Sequence, residues 1–165
     1  MRVGITGHQK LADGTAWVWV RSIIDGIFSE MEHPVLGLTS LAIGADQVFA
    51  KAVLEHAGRL HVVVPFAGYE LRFADGEDRE EYLRLLADAH IVEVLPSAGS
   101  DEASYLKAGI RIADESDLLI AVWDGQPARG LGGTADIVAY ALSRGLHIRH
   151  LDPVRRSVIT RPSPG

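Results

Sequence analysis

The chain has 165 residues, 47% of them hydrophobic, which suits one domain with an ordinary core. Its 16 Lys and Arg against 22 Asp and Glu leave a formal charge of −6, which disfavours a broad nucleic-acid surface because such binding runs through basic contacts to phosphate. Lack of cysteine excludes disulfides, thiolate zinc sites and cysteine nucleophiles, and no run of about 20 apolar residues is present to span a bilayer.

The chain enters a strand directly after Met1 without an apolar signal segment, so a cytoplasmic protein is expected. Periodicity then predicts strand 2–6, helix 15–32, strand 35–39, helix 45–57, strand 60–64, helix 77–88, strand 90–95, helix 102–115, strand 117–123, helix 133–145 and strand 146–151. Short apolar runs alternating with helical spacings predict an α/β fold, a Rossmann-like three-layer sandwich with a mostly parallel sheet. The domain is expected over 1–152, followed by a Pro/Arg-rich tail over 153–165. That tail sets Arg155, Arg156 and Arg161 among Pro153, Pro162 and Pro164, a composition suited to a frayed end.

Three strand-to-helix turns carry the candidate ligand-binding residues. The first strand breaks at Gly7 and His8, where glycine admits close approach of a ligand and the imidazole offers a donor to phosphate or hydroxyl. The second turn is Gly44-Ala45-Asp46, and Asp46 falls in the first turn of its helix. There it complements the dipole and also stands where it would accept hydrogen bonds from a ribose or a neighbouring loop. The third follows the apolar run Leu118-Leu119-Ile120-Ala121-Val122 and holds Gly132-Gly133-Thr134, whose helix N-terminus offers free N–H groups to an anion.

Asp124, Arg129 and Asp136 form an acid and base constellation around that third turn. Arg129 suits a phosphate, or else pairs with Asp124, and Asp136 sits where it complements the helix dipole. The segment Pro65–Gly76 is too aromatic for an inert linker; Tyr69, Glu70, Arg72 and Phe73 either cover a ring or, as favoured here, the loop is pinned to the body through Phe66 and Phe73. Trp17 and Trp19, two apart on a helix, point to different faces, one towards the core and one towards an association surface. His147 and His150 fall on opposite faces of a strand, and the seven histidines show no metal spacing, so no metal is expected. The P-loop and the Gly-x-Ser-x-Gly elbow are both missing from the sequence.

Val3-Gly4-Ile5-Thr6-Gly7-His8, Gly44-Ala45-Asp46, Ser116-Asp117-Leu118-Leu119-Ile120-Ala121 and Gly132-Gly133-Thr134, in this order, resemble the SLOG superfamily. That Rossmann-like group contains the lonely-guy phosphoribohydrolases, molybdenum-cofactor carrier proteins and DNA-processing protein A. The resemblance implies a domain that binds a nucleotide or nucleotide-derived ligand at the glycine-rich edge, as a homodimer or larger homo-oligomer, with no cofactor of its own. Lonely-guy enzymes carry an Arg-Lys pair on the helix before the Ser-Asp strand, where Ala108 and Gly109 fall here. Their Pro-Gly-Gly-x-Gly-Thr-x-Glu-Glu signature is also altered: Asp124-Gly125 replaces its start, Gln126 through Leu131 intervene, and Asp136 stands for the first glutamate. A sensor or carrier is therefore expected ahead of the alternative, an N-glycosidic hydrolase or transferase using Asp136 or Asp124 as catalytic carboxylates. A DNA-processing accessory is disfavoured by the charge.

Overall fold

Alternation along the central strands sets the layers. β1 (Arg2–Gly7) sends Val3 and Ile5 to one face and Gly4 to the other, while β5 (Leu118–Val122) separates Ile120 and Val122 from Leu119 and Ala121. A computed structural model, which describes residues 1–161, places these two strands side by side in a seven-stranded sheet. Around them stand β2 (Leu36–Thr39), β3 (Arg59–Val64), β4 (Ile91–Val94), β6 (His147–Asp152) and β7 (Ser157–Arg161), in the order β4-β3-β2-β1-β5-β6-β7. β1 to β6 pair in parallel, and β7 runs antiparallel to β6.

Helices close both faces. α1 (Ala16–Ser29), α2 (Ala45–Glu55) and α3 (Glu77–Ala87) bury Ile24, Phe28, Phe49, Tyr82 and Leu85 on one side. α4 (Asp101–Glu115) and α5 (Thr134–Ser143) bury Ile112, Ile137, Val138 and Ala141 on the other. The fold is the three-layer α/β sandwich that the alternation predicts. From β1 the chain winds outward through β2, β3 and β4, then returns to add β5 and β6 on the opposite side. The reversal leaves a crevice beyond the carboxyl ends of β1 and β5, the position where open α/β sheets take ligands.

Three expectations change. Helix α1 ends at Ser29 rather than at 32, short of Pro34, before which a helix is disfavoured. Trp17 and Trp19 do not divide between core and surface: the buried stripe Ala16, Val20, Ile24 and Phe28 runs between them, and both indoles flank it half-buried while Val18 is the exposed residue. The tail is not frayed over 157–161. Those residues extend the sheet as β7, and Arg156 in the preceding turn donates to Thr15 Oγ1 at 3.0 Å and pairs with Asp13 at 3.4 Å. Pro162 and Pro164 lie outside the described residues.

The aromatic segment after β3 is pinned. Phe66, Tyr69 and Phe73 are all buried, with Phe73 stacked on Tyr82 at 4.4 Å and Tyr69 edge-on to both Phe66 and Tyr82. A single 3₁₀ turn over Tyr69–Arg72 is what the glycine-broken sequence allows.

Candidate functional site at the carboxyl edge of the sheet

The end of β1 ties the three turns together through one residue. The His8 N–H donates to the Val122 carbonyl at 3.0 Å, and the His8 carbonyl accepts the Ala45 N–H at 3.1 Å. Its ring reaches the third turn: Nε2 lies 3.1 Å from the Asp124 N–H and 3.3 Å from Asp124 Oδ1. Neutral Nε2 accepts the N–H; a protonated ring donates to the carboxylate. His8 is thus a brace between loops as well as part of the crevice wall, a role its sequence position does not announce.

The glycines serve the same joint. A Cβ on Gly7 would lie 2.5 Å from the Ala45 side chain and 2.8 Å from that of Val122, so glycine there lets β1, β5 and α2 meet. Gly44 has φ +89°, and a Cβ would lie 2.5 Å from the backbone oxygens of His8 and Gln9. Gly44 and Ala45 sit behind the wall of the crevice, supporting it. Gly132 presses its loop onto the backbone of α4 in the same manner.

Asp46 is drawn inside. Its Oδ2 accepts the Thr39 hydroxyl at 3.0 Å, the Ser40 N–H at 3.0 Å and the Ala42 N–H at 3.4 Å. Burial pushes the carboxyl up to about 6, and the hydrogen bonds from Thr39, Ser40 and Ala42 hold it from rising further. Asp124 moves the other way. Burial opposes its ionisation, but the Gln126 N–H at 3.0 Å, His8 and the charge of Arg129 together hold it below the usual carboxylate range.

At the third turn α5 begins with Gly133 as its N-cap and Thr134 as its first helical residue. The Thr134 and Ala135 N–H groups have no acceptor among the described residues, and both residues line the crevice. Arg129 lines it too, exposed and without an ion pair among the described residues, so the pairing with Asp124 that its position allowed is not made. Asp136 turns back instead: its Oδ2 accepts the Gly132 N–H at 3.0 Å, which locks the loop, and it is not part of the crevice wall.

The resulting cavity holds about 830 Å³, within the range of small-molecule sites. Gly7, His8, Asp46, Asp124, Arg129, Gly132, Gly133 and Thr134 come together around it. Sequence reasoning missed Lys10, Tyr105 and Trp123, which also line it. Trp123 ends the strongest apolar run and was open to detection on that ground. Tyr105 lies in the middle of α4, and nothing local marks its face. Arg72 reaches the rim, where it grips Asp101 through Nε at 2.6 Å and Nη2 at 3.2 Å and covers the Phe66 ring at 5.2 Å.

No protein-family model and no curated protein sequence matches the chain significantly. Solved structures do. DNA processing protein A from Streptococcus pneumoniae superposes with a TM-score of 0.67 at 16% identity, over 90% of this chain and 49% of that one. The chain therefore spans about half the length of that protein. The molybdenum cofactor binding protein from Rippkaea orientalis gives 0.55 at 18% identity, over 90% and 74% of the two chains. The Moco carrier protein from Chlamydomonas reinhardtii gives 0.55 at 21%, over 92% and 75%. The fold is the Rossmann-like fold shared by these structures. At these identities the likeness concerns the fold, and the chemistry has to be argued from the crevice itself. Among the described residues, no helix is long and apolar enough to cross a membrane.

Proposed function

We propose that this protein binds a nucleotide or nucleotide-derived small molecule in the crevice, with the phosphate on the first turn of α5, and acts as a cytoplasmic sensor or carrier. The observation that carries the reading is the pair of N–H groups at Thr134 and Ala135 beside Arg129, all without a partner among the described residues and lining one crevice at the switch point of the sheet. A helix N-terminus and a free guanidinium are what a phosphate monoester needs for neutralisation. The Rippkaea and Chlamydomonas proteins, a cofactor binder and a cofactor carrier by name, agree with a binding role. Association into a homodimer or larger homo-oligomer belongs to the same proposal.

The carboxylates speak against hydrolysis as the main activity. Glycoside hydrolysis canonically uses two carboxyl groups flanking the bond. Asp136 is engaged by its own loop, and Asp124 is held by the Gln126 N–H and faces His8. Titration calorimetry against nucleoside 5′-monophosphates, with Trp123 fluorescence as a second signal, tests the proposal. Saturable binding without release of free base is expected. Steady base release, abolished by Asp136→Asn, would replace the binder with the N-glycosidic enzyme.

A further inference from the structure

Resting on that reading of the crevice, we infer that Asp46, Tyr69 and Tyr105 form a subsite for a neutral hydrogen-bond donor of the ligand, a sugar hydroxyl or a base amine. The phosphate sits apart from it, on α5. Tyr69 is 5% exposed and lines the crevice, yet its hydroxyl has no hydrogen-bond partner among the described residues. The ring is buried while the hydroxyl keeps access to the cavity, where a ligand group can meet it. Tyr82, buried more deeply still, does not line the crevice, so lining it is what sets the Tyr69 hydroxyl apart.

Asp46 supplies the second half. The bonds from Thr39, Ser40 and Ala42 all go to Oδ2, leaving Oδ1 of a wall residue without a described partner. Tyr69 feels the Asp46 and Tyr105 groups electrostatically, and burial together with those charges raises its hydroxyl far out of the titrating range. It therefore stays a phenol, able to donate or accept. Tyr105 stands with its ring centroid 6.0 Å from that of Tyr69 at the same wall.

A carboxylate at the wall repels a phosphate and welcomes O–H or N–H. Arg129 and the free α5 N–H groups lie at the β5 side of the crevice; Asp46 lies at the β2 side, and the nearby Arg72 at the rim is engaged by Asp101. β1 stands between those strands, so their ends are roughly 10 Å apart at about 4.8 Å per strand spacing. A phosphate at one end thus leaves room for a sugar, or a sugar and part of a base, before the acceptors are reached.

The experiment compares adenosine 5′-monophosphate, its 2′,3′-dideoxy analogue and purine riboside 5′-monophosphate, which lacks the amine. Wild type, Tyr69→Phe and Asp46→Asn are titrated with each, and melting curves confirm that each variant folds. Tyr69→Phe keeps the ring and its packing, so it carries the test by itself. About tenfold weaker binding of adenosine monophosphate to Tyr69→Phe is expected, with a change below twofold for whichever analogue lacks the donor. A loss that disappears only with the dideoxy analogue assigns the subsite to the sugar, and one that disappears only with purine riboside monophosphate assigns it to the amine. Equal affinity of wild type and Tyr69→Phe for adenosine monophosphate, or an equal loss for all three probes, would overturn the subsite while leaving the nucleotide reading intact. Absence of binding to wild type would overturn both.

Discussion

Replacing Asp46 with asparagine separates what this residue does for folding from what it does for the crevice. The carboxyl is buried, and its rise from 3.8 to about 6 means that the folded state favours the protonated form. Below pH 3.8 the residue is neutral in both states and carries no penalty. As pH rises through that value the unfolded chain ionises first, and stability falls until the folded carboxyl ionises near 6. At 1.36 kcal/mol per pH unit the loss is about 3 kcal/mol, most of it between pH 4 and 7. Asparagine keeps a carbonyl oxygen to accept from Thr39 and Ser40 and has nothing to titrate. Urea unfolding of wild type and Asp46→Asn at pH 4, 5, 6 and 7 gives the difference directly, since every other titrating group largely cancels. The variant should gain on wild type by a few kcal/mol across that window. A difference that stays flat, or that moves towards wild type as pH rises, would refute the assignment of Asp46 as a carboxylate charged against its surroundings.

Gly44→Ala should destabilise by about 2 kcal/mol or more in denaturant titration, because the new methyl meets the His8 and Gln9 backbone oxygens at 2.5 Å in a left-handed conformation. Arg129→Ala should weaken binding of adenosine 5′-monophosphate about tenfold in calorimetry while leaving the melting temperature within a degree or two, since that side chain is exposed and makes no ion pair among the described residues. Truncation after Asp152 should expose the β6 edge and release the Arg156 contacts to Thr15 and Asp13, giving aggregation or an earlier melt in light scattering.

The sheet was legible because the central parallel strands are short apolar runs bounded by turns, and burial on both faces leaves that mark in sequence. β7 was not. Ser157-Val158-Ile159-Thr160-Arg161 is an edge strand with Val158 and Ile159 more than 40% exposed, so proline and arginine nearby masked a weak signal. The glycine turns were visible as breaks, but their purpose was only half read: Gly7, Gly44 and Gly132 first of all let protein meet protein, and the crevice follows from that contact. Asp136 looked like a site acid because of its place in the helix. Its inward turn to the Gly132 N–H depends on a loop conformation that six inserted residues define, which no local pattern encodes.

Asp46 draws folding and function into one argument. A buried carboxylate that lowers stability at neutral pH is a poor choice for a scaffold, because asparagine would satisfy much of the same turn without the charge. Such a residue makes physical sense where a group arriving from outside completes its hydrogen bonding, and the open Tyr69 hydroxyl at the same wall asks for the same visitor. The two variants should therefore divide. Asp46→Asn makes the fold more stable above pH 6 and the crevice less discriminating, whereas Gly44→Ala harms the fold and, through the His8 brace, every ligand alike. Opposite signs for stability from two neighbouring positions, with loss of binding from both, would be hard to obtain if the second turn were scaffold alone.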